Sequence, residues 1–393
     1  EKEHCSGCTA CMVCCPKEAI SMCADEEGFK YPVIDRNRCV ECGKCVRTCP
    51  ITNKQKKNSV VDSYIAINND KNQREASASG GLFSVIAHYV LEKNGVVFGA
   101  AYDEELRVKH TAIEHEADLE KLRMSKYVQS DLGDTFKQVD KYLKADRIVL
   151  FSGTPCQVAG LRAYINREDA NLILLDLVCH GVPSPKLFED YKAALSEKYE
   201  SDIQNIYFRS KVLGHHLSTI AVRFSNGKLI HSRRLVKSYP RLWFAGFTSR
   251  PSCYACSFKE EDRVSDFTLF DSFKSAGQYD FKDDDMGLSN VYVRTQKATD
   301  LWKQIEAQVT AVKTKTAVTN KNDGDMIYES AVKNKARAEF WSDYGKLSYT
   351  ELIDKYIPYS KKEAIMDKVK RVMVSTGLSK NLKIKKLLTK IKK

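Results

Sequence analysis

The chain has 393 residues, 43% hydrophobic and 29% charged, which allows two or three domains and excludes collagen-like, mucin-like and largely disordered chains. Its net charge is +12, yet the stretch from Lys368 to the end holds ten Lys or Arg and no acid, so the body carries only +2 and no nucleic-acid-like field. No apolar run of about eighteen residues could span a membrane as a helix, and the polar opening Glu1–Cys8 does not read as a signal peptide, so the expected location is cytoplasmic.

Ten of the fourteen cysteines fall within the first 49 residues. Cys5, Cys8, Cys11 and Cys15 are spaced C-x2-C-x2-C-x3-C before Pro16, and Cys39, Cys42, Cys45 and Cys49 repeat that spacing before Pro50. An iron–sulfide cube needs four converging thiolates, three from a tight loop and a fourth from the other motif. Residues 1–52 resemble the bacterial two-cluster ferredoxins. The resemblance implies one [4Fe-4S] cluster on Cys5, Cys8, Cys11 and Cys49 and a second on Cys39, Cys42, Cys45 and Cys15. Zinc knuckles usually lack the third close cysteine, and disulfides do not suit a cytosolic chain. Cys14 and Cys23 fit neither motif and read as small packing residues. With little apolar core, this segment is expected to be a domain held together by its clusters.

After a polar linker, Asn53–Asn58, Ser63–Asn68 reads as a short strand. Ser77–Gly81 opens a helix with apolar positions Leu82, Phe83, Val85, Ile86, Tyr89 and Val90, and Gly95 is its expected C-cap. Val96–Ala101 follows as a strand, Asp134–Lys144 as a helix, Arg147–Phe151 and Leu172–Val178 as buried strands, and a helix starts at Ser184. This alternation predicts an α/β body with a mainly parallel sheet, while residues 203–234 are strand-rich. The expected organisation is a ferredoxin-type segment (1–52), a mixed α/β body (60–310) and a helical C-terminal region with a basic tail (311–393).

Ligands of such sheets bind at the carboxyl ends of strands. Gly153–Gln157 follows one strand, with Thr154 as N-cap, Pro155 at the first helical position and Cys156 in the first turn, where the positive helix end favours a thiolate. Cys179–Gly181 follows the next strand, so Cys156 and Cys179 are expected on one sheet edge. Cys253 and Cys256 form a C-x-x-C after Arg250–Pro251. Four cysteines suffice for a third cubane or one zinc. Spacing alone leaves iron–sulfur, zinc and packing open, and the upstream motifs favour iron.

Ser79–Gly81, Lys126–Tyr127 with Ser130, Gly153–Leu161, Cys179–Ser184 and Cys253–Cys256 resemble successive motifs of one family, the beta subunit of coenzyme F420 hydrogenase and dehydrogenase. Its relatives include subunits of formate dehydrogenase and sulfite reductase, and chlorophyll reductases. The resemblance implies a bound FAD, a third [4Fe-4S] cluster on Cys156, Cys179, Cys253 and Cys256, and two-electron exchange with a small-molecule substrate. It places the flavin near Ser79, Gly80, Gly81, Lys126, Tyr127, Ser130, Gly153, Thr154 and Gln157, and likens Asp266–Asp271 to the acidic motif that follows. Two departures touch substrate handling. Phe270–Phe273 stands where Gly-Asp-Phe-Trp-like sequences are usual, and Gly214–His215 where a Gly-Trp pair is expected.

Each candidate also has a plainer reading. Ser79–Gly81 presents backbone N–H groups to a pyrophosphate or merely caps a helix. Lys126 and Tyr127 contact the flavin or are solvated; Asp266 and Asp271 shuttle protons or bound a strand; His180 gates protons or is structural. In the tail, Leu382, Ile384, Leu387, Leu388 and Ile391 lie among lysines, as in a basic amphipathic helix on an anionic inner membrane face or a solvated end. The expected function is a flavin-dependent iron–sulfur oxidoreductase exchanging electrons with a soluble one-electron carrier or a redox partner subunit. The alternative is an electron-transfer subunit with no substrate of its own. Nucleic acid is not an expected partner.

Overall fold

The computed structural model describes residues 1–381 and Lys385; the apolar tail positions Leu382, Ile384, Leu387, Leu388 and Ile391 lie outside the described residues. The N-terminal segment has two short helices, Ala10–Val13 and Lys44–Thr48, around an antiparallel hairpin of β1 (Ile20–Ala24) and β2 (Lys30–Ile34). The chain continues through β3 (Asp62–Asn68), β4 (Val96–Tyr102), β5 (Val108–Ile113), β6 (Val149–Gly153) and β7 (Leu172–Leu177). Next come β8 (Ile203–Ser210), β9 (Thr219–Phe224) and β10 (Leu229–His231), which form a three-stranded antiparallel sheet. Finally β11 (Phe267–Asp271), β12 (Ser289–Val293) and β13 (Val309–Lys313) complete an eight-stranded sheet of order β13-β3-β12-β11-β7-β6-β4-β5.

Only the four central strands run parallel, β4–β6–β7–β11; β5 joins antiparallel on one side and β12, β3 and β13 on the other. The mainly parallel expectation therefore holds for the centre alone. β4 and β5 are joined by a tight turn in which Asp103 accepts from the Glu105 and Arg107 N–H groups, a connection too short for a parallel crossover. Along β6, Leu150 points to one face with Leu82, Val85, Ile86 and Trp302, while Val149 and Phe151 point to the other with Phe136, Val158 and Leu161. Burial on both faces explains why the central strands read as continuous apolar runs.

Two boundaries differ from the sequence reading. The buried strand is displaced to Val149–Gly153, because Arg147 is spent on the Asn94 and Gly95 carbonyls and on Glu114. The helix Leu82–Glu92 ends through Asn94, at φ 56°, rather than Gly95. Gly95 serves close approach instead, since a Cβ there would stand 2.5 Å from Val90 Cγ1.

The N-terminal segment shares its core with the body. Cys8, Ala10 and Val13 pack with Phe136, Val158 and Leu161 in one cluster. Glu27, at the β1–β2 turn, makes a buried ion pair with Arg337, while its carbonyl accepts from Ser184 Oγ at 2.5 Å. The start of the basic tail also packs: in the helix Lys361–Ser375, Met373 buries against Leu213 and Leu217, and Lys385 pairs with Asp285 at 2.6 Å. Among the described residues no helix is long and apolar enough to cross a membrane.

Candidate functional site

The two cysteine motifs fold as a repeat. Gly7 (φ 71°) and Thr9 (φ 62°) are left-handed two and four positions after Cys5, and Glu41 (φ 51°) and Gly43 (φ 67°) are left-handed at the same offsets from Cys39. A short helix begins at the next position in each motif, at Ala10 and at Lys44. Left-handed backbone at non-glycine residues is costly, so its recurrence marks a loop shaped around something both motifs hold. Burial pushes the Cys8 thiol up to about 11 and the Cys11 thiol up to about 12, and Cys5 and Cys49 are near enough to raise both further. The first three cysteines thus stand with Cys49, as the ferredoxin crossing requires. Cys14, buried, has Cys15 and Cys45 as electrostatic neighbours, which brings Cys15 to the second motif. Cys23, expected to pack, is exposed on β1.

Cys156 and Cys179 lie just beyond the carboxyl ends of the parallel strands β6 and β7, as expected. They line a cleft of about 600 Å³ together with Cys253 and Cys256. Thr154 and Gln157 fix the start of the helix Pro155–Ile165, the Thr154 N–H donating to Gln157 Oε1 at 3.0 Å, and Thr154 Oγ1 lies 3.2 Å from Cys156 Sγ. The helix end does not lower this thiol. Burial drives Cys156 well up, and Cys256, Cys179 and Cys253 add to the rise; burial likewise pushes Cys253 up to about 12. All fourteen cysteines are free of disulfides. Among the described residues no group of three or more His, Cys, Asp or Glu is gathered as the ligands of a single metal ion. Thiolates at about 2.3 Å from one tetrahedral zinc stand about 3.8 Å apart, whereas the corners of a cube hold them wider. Four buried thiols around an open cleft fit the larger group.

Next to this cleft is an aromatic group. Tyr127 packs on Phe208, Trp243 and Phe244, and His180 meets Trp243 and Phe244 at 5.1 and 5.2 Å. Trp243 Nε1 is buried without a hydrogen-bond partner, an orphaned donor facing the aromatic space. Burial, with Lys259 nearby, lowers the His180 pKa and favours its neutral form. Beyond Tyr127, Arg209 on β8 lies 2.7 Å from Asp271 Oδ2, and His215 lies 3.3 Å from Asp271 Oδ1. Burial alone would raise the Asp271 carboxyl, but Arg209 and His215 hold it well below the usual carboxylate range. Asp271 is therefore a fixed anion, unsuited to donating a proton. Asp266 sits before the opposite end of β11, where it accepts from the Leu174 N–H and Thr295 Oγ1 and pairs with Lys297. A strand of five residues separates the two aspartates by about 17 Å, so they do not form one site.

Ser79–Gly81 lies at the same sheet edge as Asp271. Ser79 Oγ donates to the Leu288 carbonyl, the Gly80 N–H donates to Ser289 Oγ, and Gly81 (φ 85°) caps the helix Leu82–Glu92. A Cβ on Gly80 would stand 2.7 Å from the Ala66 carbonyl oxygen, so packing between β3 and β12 already demands that glycine. Lys211 donates to the Arg74 and Ser79 carbonyls at 2.6 and 2.9 Å; burial, then Arg74 and Arg209, lowers its pKa to about 7. Lys126 is not a solvated lysine: it donates to the Lys121 and Arg123 carbonyls, and burial lowers it to about 7. Ser130 bridges His110 Nδ1 and Gln157 Nε2, and Gly153 ends β6 against Gln157. Sequence reading missed Arg209, Lys211, His215, Trp243 and Phe244; their only local signal was the alternation of Arg209 and Lys211 in a strand-rich stretch.

A doubled cysteine motif joined to an α/β body, with four more cysteines at its strand ends, defines an iron–sulfur protein of the oxidoreductase class. Residues 4–53 and 31–78 match 4Fe-4S dicluster domains. Over residues 146–333 the chain belongs to the coenzyme F420 hydrogenase/dehydrogenase beta subunit family, matching the description of its C terminus. Among solved structures, a chain of the xenon-derivatised F420-reducing [NiFe] hydrogenase complex from Methanosarcina barkeri is similar at 16% identity, over 69% of this chain and 89% of that one, with a TM-score of 0.46. No curated protein matches the chain.

Proposed function

We propose that this protein is an iron–sulfur flavoprotein oxidoreductase that exchanges single electrons with a redox partner and electron pairs with a small-molecule substrate. The observation that carries the reading is the gathering of Cys156, Cys179, Cys253 and Cys256 around one cleft, between the ferredoxin-like segment and the Tyr127–Trp243–Phe244 group. His4 and Ser6, from the loop that carries Cys5, line that cleft too, so the two thiol sets are neighbours. In this reading Cys5, Cys8, Cys11 and Cys49 hold one cubane, Cys39, Cys42, Cys45 and Cys15 a second, and the four body cysteines a third. FAD, when bound, converts between one-electron and two-electron transfer.

The chain's own groups suit the flavin's parts. Trp243, Phe244 and Tyr127 offer aromatic faces beside Cys179, with Trp243 Nε1 free to donate. Arg209 and Lys211 bring basic groups to the Ser79–Gly81 edge, where a pyrophosphate needs them. The domain limits proposed from sequence, 1–52, 60–310 and 311–393, mark functional parts rather than separately folding ones, given the shared core. Quantifying iron, sulfide and flavin after anaerobic purification tests the reading. About twelve iron and one FAD per chain are expected. Iron without flavin would instead favour an electron-transfer subunit with no substrate of its own.

A further inference from the structure

The two halves of the ferredoxin-like segment face different surroundings. Cys8 is buried and Cys5 and Cys11 half-buried. Gly160 of the helix Pro155–Ile165 packs so closely on Cys8 that a Cβ would stand 2.9 Å from its sulfur, and Arg250 donates to the Cys5 carbonyl at 2.6 Å. The Cys39–Cys45 loop has no such cover. Cys42 is exposed, and Val40 and Val46 beside it are each 58% exposed. Charge surrounds this bare apolar spot. Over residues 35–56 six basic side chains accompany two acids, Asp35 and Glu41, a local +4 on a body whose net charge is +2. Thr52 and Asn53 bond back to the Val46 and Arg47 carbonyls at 2.7 and 2.8 Å, which brings Lys54 and Lys56 beside the loop. Arg36, Lys54 and Lys56 make no ion pair with an acid among the described residues.

We infer that the Cys39–Cys45 face is the docking surface for an acidic one-electron carrier protein, with Val40 and Val46 at its centre and Arg36, Lys44, Lys54 and Lys56 around it. The inference rests on the relay reading above and adds where the wire meets its partner. An apolar centre within a charged rim is the build of a transient interface, and opposite charge raises encounter rates by about 10- to 1,000-fold. Each encounter moves one electron between the carrier's iron–sulfur group and the cluster on Cys39, Cys42, Cys45 and Cys15, one side oxidised and the other reduced. No bond forms and no proton moves. Two encounters make up the pair that a two-electron substrate requires.

The test uses the reconstituted full chain and an acidic bacterial two-cluster ferredoxin as probe. A triple variant, Arg36→Glu, Lys54→Glu, Lys56→Glu, changes side chains that ligate nothing and hold no loop. Calorimetric titration with oxidised ferredoxin should show binding weakened tenfold or more in the variant, and binding by the unaltered chain should fade as salt rises. Stopped-flow reduction by reduced ferredoxin should slow likewise, while reduction by the small, neutral deazariboflavin radical stays within twofold. Equal ferredoxin binding by both chains, or none by the unaltered chain at low salt, overturns the docking surface and leaves the relay standing. If the neutral radical cannot reduce the clusters of the unaltered chain, the relay reading itself falls.

Discussion

Gly160→Ala probes the seam between the ferredoxin-like segment and the body with a single methyl group. The new Cβ would stand 2.8 Å from Cys8 Cβ, 2.9 Å from Cys8 Sγ and 3.3 Å from Phe136 Cε2. Carbon atoms settle about 3.5–4.0 Å apart, so Cys8 has to retreat by roughly 1 Å. Overpacking of this kind costs about 1–3 kcal/mol, whereas replacing glycine by alanine inside a helix contributes about 1 kcal/mol of stability. The net loss, about 0–2 kcal/mol, is small for the whole chain and is concentrated on one proposed iron ligand. Anaerobically reconstituted Gly160→Ala protein should therefore carry about four fewer iron atoms per chain, with a thermal midpoint lowered by only a few degrees. Iron and sulfide analysis with scanning calorimetry reads both. Undiminished iron together with an unchanged or raised midpoint would show that the segment is not pressed against this helix.

The double variant Cys253→Ser, Cys256→Ser should hold about eight iron per chain instead of about twelve, and a value unchanged by the substitutions would remove the third cluster from the account. Deleting residues 1–52 should yield protein that aggregates, because Phe136, Val158 and Leu161 lose apolar cover and Arg250 and Arg337 lose partners; a soluble, cooperatively melting chain on calorimetry would contradict the shared core. Lys126 gives a pH signature. Burial lowers it to about 7 in the fold, while the unfolded chain keeps the proton up to about 10.4, so between those values the unfolded state binds more protons. Denaturant titrations should show stability rising from pH 7 to 9, with a shallower rise in Lys126→Met, and identical slopes would count against a buried amine.

The legible parts of this protein were those whose chemistry is local. Three thiolates on one tight loop must recur at fixed spacing, so the iron–sulfur segment could be read directly from Cys5–Cys15 and Cys39–Cys49. Thr154–Pro155 and Ser184–Pro185 marked helix starts because capping is settled within a few residues, and both hold in the fold. What was hidden depends on distant chain. Asp266 and Asp271 look equivalent in sequence; only the direction of β11 sends one to the cysteine edge and the other away. Arg250 reads as a surface residue, yet it is almost wholly buried between the Cys5 carbonyl, the Lys30 carbonyl and the Tyr31 ring. Glu27 and Arg337, 310 positions apart, gave no sign that the ferredoxin-like segment is fastened to the body. Nor did His215 and Phe273, which stack at 5.0 Å beside Asp271 only after β8 and β11 converge.

The central claim is that one chain joins a one-electron wire to a two-electron flavin. An anaerobic reductive titration of the reconstituted protein, followed by its visible spectrum, counts the electrons directly. Three [4Fe-4S] clusters accept one electron each and FAD accepts two, so the titration should end at about five electrons per chain, with bleaching of a flavin band. An end point of two or three electrons without a flavin band would contradict the claim and leave a pure electron-transfer protein.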